Sequence, residues 1–167
     1  KAEDYLKKAI EQGSAKASFR LARKTHKKND FQTAHFYYEK TLELAKKDSD
    51  THYIGLSLYH IGFMHFLGES VKKNNEKAKE YFDQSLKMDC KRAHYGLGAF
   101  FEELEQYDCA ISQYEKSIKA GIKVSDSFYS IAWIYNTGGN GVTKNILKSK
   151  KIHTDLYNKK EYKISAY

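Results

Sequence analysis

The stretch KAKEYFDQSL, Lys77 to Leu86, decides how this chain folds, because the chain writes it four times. Close copies are KAEDYLKKAI from Lys1, TAHFYYEKTL from Thr33 and CAISQYEKSI from Cys109. Aligned on Ala2, Ala34, Ala78 and Ala110, they carry large apolar or aromatic groups three and four residues later. These are Tyr5 and Leu6, Tyr37 and Tyr38, Tyr81 and Phe82, and Tyr114 alone in the last copy. Another four residues on stands a large aliphatic: Ile10, Leu42, Leu86 or Ile118. Spacings of three and four put all of these on one helical face, and the alanine marks where another backbone approaches.

A second pattern, small-x-x-x-aliphatic-small, precedes three of the copies. It runs from Ala17 to Leu21-Ala22, Ser57 to Ile61-Gly62, Ala93 to Leu97-Gly98 and Ser127 to Ile131-Ala132, with Thr25, His65, Phe101 and Tyr135 three residues further on. A small residue inside a helix costs stability in isolation. Its return at one phase implies a close helix crossing there. The chain thus alternates two helix types, A and B, with the A aliphatics 40, 36 and 34 residues apart. Paired helices at such a period predict an all-α solenoid of antiparallel pairs, each burying its apolar face against its neighbours. The absence of proline fits a chain helical almost throughout.

The 167 residues read as one helical-repeat domain. Residues 1–13 are the second helix of a truncated repeat, 14–46 repeat 1, 50–88 repeat 2, 91–121 repeat 3, and 125–160 repeat 4 or a cap. A lysine inside a helical pattern at position 1 reads as a start in mid-unit. From the A aliphatic to the B alanine is 13 residues in the first and third pairs, 17 in the second, and 18 in the fourth if Ser149 fills the alanine position. The longer linkers, GESVKKNNEKA and GGNGVTKNILKS, have glycine where a helix should end and then a polar run.

These motifs resemble the Sel-one-like repeats, a branch of the tetratricopeptide superfamily. Their pattern is roughly A-x-x-x-L-G-x-x-Y, then G-x-G-V, then K-A-x-x-W/Y-Y-x-K-A. The fourth unit supplies Ser127, Ile131-Ala132, Tyr135 and Gly139-Asn140-Gly141-Val142, and the second supplies Ser57, Ile61-Gly62, Gly68-Glu69-Ser70-Val71, Lys77-Ala78 and Tyr81-Phe82. Thr25 and His65 depart from the aromatic position, and KSKKIHTDLY from Lys148 is a poor B helix, as a capping helix would be. The resemblance implies a right-handed superhelix and an adaptor surface for protein–protein contacts, with no chemistry of its own. The alternative is the structural arm of a larger enzyme, or of a secreted bacterial effector or immunity protein.

A catalytic or metal site is not expected. The seven histidines are scattered without an H-E-x-x-H pair, and His60 and His65, five apart, do not share a helix face. Glu102, Glu103 and Glu105 read as solvated carboxylates near a helix end. GGNGV from Gly138 lacks the Lys and Ser/Thr of a phosphate loop. No cofactor is implied. Cys90 and Cys109 fall at the starts of two successive antiparallel helices, about 15–20 Å apart. That exceeds the roughly 7 Å reach of a disulfide, so free thiols are expected. The run Tyr53 to Gly68 has no Lys, Arg, Asp or Glu, but its 16 residues fall short of a membrane span and read as a buried helix.

Net charge is +8, with the excess at the two ends: 12 Lys/Arg against 8 Asp/Glu in residues 1–50, and 7 against 2 in residues 144–167. Solvated lysine on helix faces accounts for this better than a nucleic-acid module, none of which is recognisable. The expected partner is another protein, met by the A helices. Two residues before each A aliphatic stand Phe19, Tyr59, Tyr95 and Tyr129; two after it stand Arg23, Phe63, Ala99 and Trp133; five before it stand Lys16, Leu56, Arg92 and Asp126. The expected groove is therefore Phe19, Arg23, Tyr59, Phe63, Arg92, Tyr95, Tyr129 and Trp133. Its aromatics would anchor a peptide or helix, and Arg23 and Arg92 would take carboxylates.

Overall fold

The computed structural model describes residues 2–164. Lys1 and the side chains of Ala2 and Tyr157, all used in reading the repeat, lie outside what it describes. Among the described residues there are nine helices and no strand beyond an isolated bridge between Gly139 and Val142. Type B helices are α1 (Ala2–Glu11), α3 (Phe31–Lys47), α5 (Asn75–Lys87), α7 (Tyr107–Lys119) and α9 (Ile146–Ile164). Type A helices are α2 (Ala15–Lys27), α4 (Thr51–Leu67), α6 (Ala93–Glu103) and α8 (Val124–Thr137). The alternation expected from the two patterns is present, and the chain is an all-α helical repeat solenoid. None of these helices is long and apolar enough to cross a membrane.

Local chemistry sets the ends of these helices. Ser14, Asp30, Asp50 and Asn74 cap α2, α3, α4 and α5, each side-chain oxygen accepting from the backbone N–H three residues on. The tight turns share one geometry. The second residue after the helix takes a left-handed conformation (Gly13, Asn29, Ser49, Asp89, Glu105, Gly121), and the next N–H reaches back five residues to a carbonyl. The two long linkers share another. Asn74 N–H donates to His65 O at 2.8 Å and Asn145 N–H to Tyr135 O at 2.7 Å, tying each linker to the last turn of its A helix. Gly138 permits this: a Cβ there would meet the Lys144 backbone nitrogen at 2.9 Å.

The chain forms two compact units, Lys1–Gly96 and Leu97–Tyr167. In the first, α1 packs on α2, α2 on α3, α3 on α4 and α4 on α5. Phe19, Ala22, Ala34, Tyr38, Ile61 and Met64 form its main buried cluster. Gly62 and Gly96 lie against the ring of Phe82, whose Cε1 would sit 2.9 and 2.6 Å from an added Cβ. In the second, α7 packs on α8 and α8 on α9. Gly98 touches the Tyr114 ring, and Tyr114 donates to Glu102 at 2.5 Å. All four A aliphatics, Leu21, Ile61, Leu97 and Ile131, are buried, as are the alanines Ala34, Ala78 and Ala110 and, in the fourth pair, Ser149.

Buried hydroxyls form a device that the apolar pattern did not announce. Thr41, Ser85 and Ser117 stand at one repeat position, seven residues after the B alanine, and are fully buried. Each donates to a backbone carbonyl at 2.7 Å: Thr41 to Tyr37, Ser85 to Gly55 and Ser117 to Ile122. A buried polar group is inexpensive only when so paired.

Candidate functional site

A cavity of about 490 Å³ opens in the first unit between the two A helices α2 and α4. From α2 come Lys16, Phe19, Arg20 and Arg23, spaced three, one and three residues apart on one helical face. From α4 come His52, Tyr53, Leu56 and His60, which likewise share a face, and Arg92 enters from just before α6. The floor is aromatic. The Tyr38 and His60 rings stack at 4.7 Å, and Phe19 meets Tyr38, Tyr53 and His60 at 5.6–5.8 Å. Burial lowers the pKa of His60 to about 3, and the charges of His26, Arg92 and Arg23 act in the same direction. Its imidazole is therefore neutral at pH 7. Burial also raises the phenol of Tyr38, whose hydroxyl has no hydrogen-bond partner.

The structure distributes the eight expected groove residues over three settings. Phe19, Arg23 and Arg92 line the cavity. Tyr59, Phe63 and Tyr95 form a chain of rings, 5.0 Å and 6.0 Å apart, with Phe63 also 5.1 Å from Phe82. Tyr59 is only 5% exposed, so its ring is part of the packing. Tyr129 and Trp133 belong to the second unit and are half-exposed on α8, beside His153 and Tyr107 respectively. Arg20, His52, Tyr53 and His60 were missed as lining residues. Arg20 and His60 both stand one residue before the A aliphatic, a position that completes the three-and-four spacing begun at Lys16 and Leu56.

The other sequence candidates take structural places. Glu102 accepts from Tyr114 and Glu105 from Asn140 Nδ2 at 3.3 Å. His65 stacks on Tyr81 at 5.4 Å, away from His60. Cys90 and Cys109 are free. Among the described residues no group of three or more His, Cys, Asp or Glu is placed to hold a metal ion.

The Sel1 repeat model matches residues 1–14, 15–45, 55–90 and 128–152, more than half of the chain. The chain belongs to the Sel1 repeat family. Sel1 repeats are generally protein–protein interaction modules, and the family is generally a non-catalytic fold. The unmatched stretch between residues 90 and 128 holds α6 and α7, which keep the Sel1 helix alternation in the structure. Two solved structures share the fold. One is c5321, a protective antigen present in uropathogenic Escherichia coli strains displaying an SLR fold, with TM-score 0.68 and 23% identity over 94% of this chain and 33% of that one. The other is a Sel1 repeat protein from Oxalobacter formigenes, with TM-score 0.67 and 22% identity over 91% of this chain and 60% of that one. This Sel1 repeat chain thus spans a third and three-fifths of their lengths. No curated protein sequence matches it.

Proposed function

We propose that this chain is a non-enzymatic adaptor that receives a segment of a partner protein on its A helices. The observation that carries this reading is the cavity between α2 and α4: its lining combines apolar rings with arginine, the composition of interface anchors. Phe19, Arg23 and Arg92 are its contacts in the first unit. Tyr59, Phe63 and Tyr95 supply a stiff aromatic wall, and Tyr129 and Trp133 are a second set of anchors on α8. Tryptophan, tyrosine and arginine suit the role, giving large contact area or bidentate bonds for little conformational entropy.

Site-specific photocrosslinking tests it. A photoreactive residue at Leu56 or Trp133, both on A helices, is expected to crosslink a partner from the native cell extract. The same residue at Glu43, on α3, is expected not to. Crosslinks from Glu43 but from neither A-helix position would defeat the reading.

A further inference from the structure

Lysine on this protein's surface is commonly paired with a carboxylate. Lys24 and Lys28 share Glu3 at 2.7 and 3.6 Å, Lys40 and Lys47 share Glu43 at 2.8 and 3.0 Å, and Lys79 sits 2.7 Å from Asp83. The cavity between α2 and α4 breaks that habit. Lys16, Arg20, Arg23 and Arg92 all line it, and the lining includes no aspartate or glutamate. Among the described residues none of the four cations has an ion-pair partner. Four like charges converging on one concavity repel one another, and a concave wall of low dielectric focuses their field on whatever enters.

We propose that this cavity takes an acidic peptide segment in extended conformation, its carboxylates on the three arginines and an apolar side chain against Phe19 and Leu56. The proposal rests on the adaptor reading above and narrows it to one charge class. Spacing favours a peptide over a compact anion. From Lys16 to Arg23 the α2 face climbs about 10 Å at roughly 1.5 Å per residue. The step from Lys16 to Arg20 is about 6 Å, close to the roughly 6.6 Å between alternate side chains of an extended strand. Cations spread over that length suit separate carboxylates better than a single phosphate. Arginine forks bind carboxylates bidentately, which selects them over a peptide amide. The apolar share of the lining then asks for a hydrophobic residue between the acids.

The test uses the whole chain and a fluorescein-labelled hexapeptide of alternating glutamate and leucine, with an isosteric glutamine–leucine peptide as control. The expected result is saturable anisotropy for the acidic peptide, a loss of roughly tenfold or more in affinity for Arg23→Gln or Arg92→Gln, and no binding of the control. Equal binding of both peptides would overturn the proposal, as would no binding of the acidic one at millimolar concentration. So would its displacement by an oligothymidylate but not by unlabelled acidic peptide, which would assign the cavity to phosphodiesters. Unchanged melting temperatures of the arginine variants show that any loss lies in binding. Crosslinks from Leu56 that persist while the acidic peptide fails to bind defeat the charge class alone. Absence of crosslinks from the A helices defeats the adaptor reading itself.

Discussion

At the scale of single residues, the fold is held by contacts with no slack. Leu97 is 3% exposed, and Leu97→Ala is expected to cost about 2–5 kcal/mol, the ordinary range for deleting a buried leucine. A urea-melt change below about 1 kcal/mol would show that this position is not core. Its neighbour Gly98 gives a finer test, because two effects oppose each other. Alanine gains at most about 1 kcal/mol of helix propensity over glycine. The new Cβ, however, would lie 2.6 Å from the Tyr114 ring, and that ring is pinned by its hydrogen bond to Glu102. Overpacking of this kind costs about 1–3 kcal/mol, so the clash outweighs the propensity and Gly98→Ala is expected to destabilise. Combining it with Tyr114→Leu should recover part of the loss; two losses that simply add would mean the ring is not the obstacle.

At the scale of the helix, α8 sets buried side chains beside exposed ones. Ile131, Ala132 and Ile134 are buried, whereas Trp133, between them in sequence, is 48% exposed. Trp133→Ala is therefore expected to lower stability by less than about 1.5 kcal/mol, against about 3–5 for a core tryptophan. A loss in the larger range, read from thermal or urea melts, would place the indole in the packing. The same contrast explains what the sequence showed and what it hid. Periodicity revealed the alternating helices, the buried Leu21, Ile61, Leu97 and Ile131, and the glycine-ended linkers, because each follows from spacing along one helix. The cavity was only half legible. Phe19, Arg23 and Arg92 stood at counted positions, but whether a ring at such a position faces a groove or a neighbouring helix depends on the adjacent repeat. Tyr59 and Phe19 show this: they share a repeat position and both are buried, yet Tyr59 packs beside Phe63 and Phe82 while Phe19 packs beside Tyr38 with part of its surface lining the cavity. Thr41, Ser85 and Ser117 were hidden for another reason. A hydroxyl reads as polar until the carbonyl that accepts from it is in place.

At the scale of the whole molecule, the partly buried imidazole of His60 links folding to pH. Its folded pKa is lowered from 6.5 to about 3, first by burial and then by the charges of His26, Arg92 and Arg23. Between those two values the unfolded chain binds a proton that the folded chain refuses. Stability therefore rises with pH across this window, stands in full above about pH 6.5, and is lost as pH falls. One such group contributes at most about 1.4 kcal/mol per pH unit. His65, also lowered chiefly by burial, adds in the same direction. Glu3 and Glu43, lowered by their lysine partners, act below their ordinary value of 4.5, so the interval from about pH 6.5 to 5 isolates the histidines. The urea midpoint of the unmodified chain is expected to fall across that interval, and His60→Gln to flatten the fall. An unchanged slope in the variant would remove His60 as the source. A bound acidic peptide should act on the same quantity, because its carboxylates offset Arg23 and Arg92, raise the imidazole pKa and make the acid loss shallower. A slope unaltered by a saturating peptide would mean that the peptide's charge does not reach the cavity floor.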